Sequence, residues 1–95
     1  MHALDALGSP MRRDILKKLR RAPLSVGEIA EGLPVSRPAV SRHLRVLEDA
    51  GLVEAKSEGN RHVYSVRLRG FTSARTYLDE FWDVALARLE ELARK

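Results

Sequence analysis

The chain has 95 residues, 44 % hydrophobic and 32 % charged, with a formal net charge of +4 and no cysteine. This length suits one domain over residues 1–95, and the composition is ordinary for a globular fold. The missing cysteines exclude disulfides, thiolate metal sites and thiol redox sensing, and no apolar run reaches the ~18–20 residues of a membrane span.

The N-terminus, Met1 to Asp5, lacks the basic and apolar zones of a secretory signal, so a cytoplasmic location is expected. A short helical lead-in over His2–Leu7 precedes a helix that opens at Ser9-Pro10 and runs to about Arg21. Leu4, Leu7, Met11, Ile15 and Leu19 form its apolar stripe. Arg12, Arg13, Lys17, Lys18, Arg20 and Arg21 decorate the opposite side as a mostly solvated face, and Ala22-Pro23 ends the helix.

Ser25-Val26-Gly27-Glu28 has the spacing of a capping box, serine followed three residues later by glutamate. It starts a short helix to about Glu31 that turns Val26, Ile29 and Ala30 inward. Gly32-Leu33-Pro34-Val35 then makes a tight turn into Ser36, and the pair of helices over about 25–50 reads as a helix-turn-helix.

The second helix of that pair, SRPAVSRHLRVLEDAGLV, is the most informative stretch. Ser36 can cap it, Pro38 is tolerated in its first turn, and Gly51 supplies the left-handed residue that ends it. Val40, Leu44 and Leu47 share the core side. Ser36, Arg37, Pro38, Ser41, Arg42 and Arg45 share the other, and no acid appears before Glu48. A three-arginine face free of carboxylates fits the major groove of double-stranded DNA. Arg37 and Arg45 are the candidates for guanine, while Ser36, Ser41 and Arg42 suit phosphates. His43 falls toward the buried side, where packing or a local hydrogen bond accounts for it.

Leu52–Lys56 and Arg61–Val66 read as two strands around Ser57-Glu58-Gly59-Asn60, a hairpin wing over about 52–68. Lys56, Asn60 and Arg61 at its tip are within reach of phosphates or the adjacent minor groove. From about 72 to 94 the pattern is helical without Gly or Pro. Leu78, Phe81, Trp82, Ala85, Leu89 and Leu92 form one stripe, widened by Tyr77, Val84, Leu86 and Ala93. That is more apolar surface than docking on one small domain needs, so it is expected to pair two subunits together with Leu4, Leu7 and Met11. The charge is divided accordingly: residues 1–70 hold 13 Lys/Arg against 8 Asp/Glu, and residues 71–95 hold 4 against 5. His2, His43 and His62 are scattered, no metal or cofactor site is expected, and no constellation for catalysis is present, so the chain is not read as an enzyme.

The order of elements and three motifs resemble the ArsR/SmtB family of bacterial winged-helix repressors along almost the whole chain. ALGSPMRRDILKKL resembles the family's opening pattern, SRPAVSRHLRVLEDAGLV its recognition helix, and GNRHVYSV its second wing strand. The resemblance implies a mostly α fold with a small β-hairpin, a winged helix-turn-helix with a long C-terminal dimerisation helix. It also implies DNA contacts at Ser36, Arg37, Pro38, Ser41, Arg42 and Arg45. Ser25 and Gly27 stand where the family's thiolate sensors carry cysteines, and the terminal helix holds Asp79 and Asp83 but no histidine. The chain therefore looks like the metal-independent branch. The expected function is a homodimeric repressor on an inverted-repeat operator, the alternative being a winged-helix protein–protein adaptor that does not read DNA. The inducer is left open between a small molecule, a protein partner and none.

Overall fold

A computed structural model describes residues 2–94. Helix α1 spans Ala3–Ala6, α2 Pro10–Leu19, α3 Val26–Ala30 and α4 Arg37–Asp49. Strands β1 (Val53–Glu58) and β2 (Arg61–Val66) pair antiparallel, a 3-10 turn covers Leu68–Phe71, and α5 runs from Thr72 to Ala93. This is the expected winged helix-turn-helix with a long terminal helix.

Most helix starts are written locally. Ser9 Oγ accepts from Arg12 N at 3.3 Å, and Pro10 occupies the first position of α2. Ser25 and Glu28 form both bonds of the capping box on α3. Ser36 caps α4 through Ala39 N at 3.3 Å. The α4 end is equally explicit. Gly51 has φ +77°, its N–H donates to Glu48 O, and Leu52 N–H donates to Leu47 O, each at 2.9 Å. Those two bonds make a Schellman cap.

Ile15, Ile29, Val40, Leu44, Leu47 and Leu52 are fully buried and make the centre of the core, where α2, α3 and α4 meet the start of the wing. Leu16, absent from the expected stripe, is buried beside Ile15, because α2 packs on both α4 and β2 and so needs a wider apolar face than one row. Leu4, Leu7 and Met11 are half-buried against this core.

Several boundaries differ from the sequence reading. Helix α2 stops at Leu19 rather than near Arg21. Strand β1 begins at Val53 and continues to Glu58, so the expected four-residue tip shrinks to Gly59-Asn60. Glu58 pairs with Arg61, and Gly59 with φ +62° takes the first turn position, the geometry that matches strand twist in a two-residue hairpin. Leu24 bridges Tyr64 through reciprocal bonds of 3.0 and 2.8 Å, adding a single-residue third partner to the wing.

The terminal helix leaves the body. Ala74 is its buried residue, whereas Leu78, Phe81, Trp82, Leu89 and Leu92 are 55–65 % exposed. The accessible surface is 6926 Å², where a compact monomer of this mass exposes ~5,500 Å². The radius of gyration is 17.0 Å, against ~12.4 Å for a compact chain of this length. Its root is fixed by Gly70, which lies flat on the Gly51–Leu52 peptide. A Cβ there would stand 1.7 Å from Gly51 O.

Candidate nucleic-acid interface

Helix α4 is held from one side only. Val40, Leu44 and Leu47 are fully buried, Ala39, His43 and Val46 are half-buried at the edges of that side, and the opposite side is open. All six positions assigned to the DNA face, Ser36, Arg37, Pro38, Ser41, Arg42 and Arg45, are exposed. No salt bridge among the described residues engages Arg37, Arg42 or Arg45. The helix thus presents guanidinium groups, whose planar forks suit paired acceptors on guanine or phosphate.

Arg37 has a particular setting. Its guanidinium lies over Gly27 of α3, 3.0 Å from where a Cβ would be. Glycine at 27 therefore makes room for the arginine, whose guanidinium rests on α3. His43 is half-buried beside Arg12 and Arg42, as its place on the wheel suggested. Burial first, and then those two guanidinium charges, hold its imidazole below the usual histidine range.

The three wing candidates are exposed as well, but two have partners. Lys56 Nζ lies 3.5 Å from Glu54 Oε1 on its own strand. Arg61 is bonded to the Glu28 carboxylate of α3. The backbone and hydroxyl of Ser25, and then Arg61, keep Glu28 below the usual carboxylate range. Asn60 stands at the tip. The wing's arginine is thereby tied to the first helix of the helix-turn-helix, a link of 33 residues in sequence.

The basic side of α2 is not simply solvated. Arg12 Nε donates to Ala6 O and Arg13 Nη1 to Leu7 O, both at 2.7 Å, closing the end of α1. Lys18 Nζ donates to Ile29 O at 3.2 Å and also to Glu31 O, closing α3. Among the described residues no cluster of three or more His, Asp or Glu side chains is placed to hold a metal. No helix among them is long and apolar enough to cross a membrane.

Comparison with known proteins agrees with this geometry. Residues 9–55 match the family model described as bacterial regulatory protein, arsR family. The chain is 48 % identical over 90 residues to the HTH-type transcriptional regulator Rv2034 of Mycobacterium tuberculosis, covering 95 % of this chain and 84 % of that protein. It superimposes with TM-score 0.82 and 34 % identity on a crystal structure described as a possible transcriptional regulator for arsenical resistance, covering 96 % and 95 % of the two chains. A homodimeric winged helix-turn-helix DNA-binding domain from Mycobacterium bovis matches with TM-score 0.66 and 29 % identity, covering 85 % and 79 %.

Proposed function

This chain belongs to the arsR family of bacterial regulatory proteins, DNA-binding transcription regulators rather than enzymes, and on that premise we propose that it is a homodimeric repressor of an inverted-repeat operator. One observation carries the reading: an α4 face on which Arg37, Arg42 and Arg45 are exposed with no carboxylate paired to them. Arg37 and Arg45 read guanine edges. Ser36, Ser41 and Arg42 hold phosphates, Pro38 packs along the backbone, and Lys56, Asn60 and Arg61 of the wing extend the contact.

Dimerisation follows from the uncovered stripe Leu78, Phe81, Trp82, Ala85, Leu89 and Leu92, with Leu4, Leu7 and Met11 at its base. The Mycobacterium bovis neighbour, described as homodimeric, supports pairing of two copies. A two-fold pair of α4 helices then meets successive major grooves ~34 Å apart. With no cysteine anywhere in the chain, signalling does not run through thiolate metal binding.

The direct test is the triple substitution Arg37→Ala, Arg42→Ala, Arg45→Ala. Because these side chains lie outside the core, the variant is expected to stay folded and dimeric by sedimentation while losing operator binding. An intact affinity for DNA in the triple variant would place the reading surface elsewhere.

A further inference from the structure

Lys17 of α2 and Arg20, the residue that caps its end, take no part in the contacts described above. Lys17 and Arg20 are exposed, lie three residues apart on one helix face, and have no carboxylate partner among the described residues. Beside them is a cavity of about 300 Å³ walled by Leu16, Val66, Leu68 and Phe71. It lies between α2, the end of β2 and the 3-10 turn, on elements other than α4. Leu68 is 81 % exposed, the most exposed large apolar side chain of the described chain, and stands at the mouth. No acid lines the cavity.

We propose that this slot is an effector site for a compact apolar carboxylate, with the body against Leu16, Val66 and Phe71 and the carboxylate on Lys17 and Arg20. Charge complementarity selects the sign of the ligand: two unpaired cations edge an apolar floor that contributes no polar group of its own. Lys17 and Arg20 both line the cavity and neither is paired to a carboxylate among the described residues, so their donors are available to an anion. Size selects its bulk. A space of about 300 Å³, at the small end of ligand pockets, limits the body to a compact ring system. Location gives the ligand leverage. Phe71 directly precedes α5, and Gly70 rests on the Gly51 cap of α4, so a body wedged against Phe71 acts on the joint between the terminal helix and the recognition helix.

The test needs no DNA, so its outcome is separable from the operator reading. The intact ¹⁵N-labelled protein is titrated with 2-naphthoate and, in parallel, with neutral 2-naphthol. Saturable shifts centred on Leu16, Val66 and Phe71 are expected for the acid, with at least tenfold weaker binding of the alcohol. Lys17→Gln with Arg20→Gln should weaken the acid by tenfold or more while leaving the spectrum folded and the alcohol unaffected. A separate Leu68→Asp variant, at an exposed site, should repel the acid to a similar degree. The proposal is overturned if shifts fall on Leu78–Leu92 instead, if acid and alcohol bind alike, or if the double variant binds as the parent does. It is equally overturned if Leu68 and Val66 are solvent-protected in the dimer by a second copy of the chain.

Discussion

Gly70→Ala is expected to be the most damaging of the glycine-to-alanine changes in this protein. The new Cβ would meet Gly51 O at 1.7 Å, Gly51 C at 2.5 Å and Leu52 N at 3.1 Å. All three are backbone atoms, so no rotamer change relieves the clash, and the first contact must open to at least 3.0 Å. Either the Schellman cap of α4 breaks, losing two hydrogen bonds worth ~1 kcal/mol each, or the 3-10 turn and α5 move outward by more than an ångström. The two lost bonds alone make ~2 kcal/mol, and displacing packed backbone brings the cost to the upper part of the overpacking range, ~3 kcal/mol. For a domain of this size that is a fall in Tm of roughly 12–24 °C. Thermal unfolding followed by circular dichroism, at one fixed protein concentration, measures it. Gly59→Ala is the control: nothing lies within 4 Å of its added methyl, so only its backbone conformation with φ +62° is strained, ~1 kcal/mol. A Gly70→Ala protein that melts within ~3 °C of the parent, or above Gly59→Ala, would refute the packing argument.

The other expectations concern the reading face, the dimer, pH and the core. Arg42→Ala should reduce the salt dependence of operator binding by about one phosphate per subunit with little change in sequence preference, whereas Arg45→Ala should relax preference at one base position by ~1–3 kcal/mol, both read by filter binding across a salt series. Trp82→Asp combined with Leu78→Asp should give a folded monomer in sedimentation equilibrium; a persistent dimer would mean another face pairs the subunits. His43 is held below its ordinary 6.5 in the fold by burial, Arg12 and Arg42. The unfolded chain therefore binds the proton first, and stability falls as pH drops from about 6.5 toward the lowered folded value. Urea unfolding should show that segment in the parent and a flatter profile in His43→Gln. Leu44→Ala, at a fully buried position, should cost ~2–5 kcal/mol by denaturant titration.

What could be read from the sequence was whatever is encoded within one helical turn or one hairpin. Ser36, Pro38 and Gly51 bracket α4 because a cap, a first-turn proline and a left-handed stop each act on neighbours three or four residues away. The alternation of Val40, Leu44 and Leu47 against Ser41, Arg42 and Arg45 then fixes which side is exposed. The wide stripe on the terminal helix was legible for the same reason, and its exposure in the isolated chain is the outcome that stripe anticipates. Contacts between distant segments left no periodic trace. The Leu24–Tyr64 bridge, the Arg61–Glu28 pair and the seat of Gly70 on Gly51 join positions that only the folded topology brings together. The 3-10 turn at Leu68–Phe71 has no sequence signature, because four residues carry too little pattern to separate from loop. Arg37 lies on the exposed side that the helical period predicts, yet its rest position over Gly27 depends on how close α3 comes, which periodicity does not report.

Selection of bound sequences from a random duplex pool by the purified protein, at moderate salt, tests the central claim most directly. Recovery of an inverted repeat with half-sites one helical turn apart, ~34 Å, is the expected result, and binding to it should fall by roughly three to four decades between 50 and 200 mM salt if ~6–8 phosphates are neutralised. Weak, salt-sensitive binding with no enriched sequence would contradict the account, because the arginine face of α4 would then be sensing charge alone.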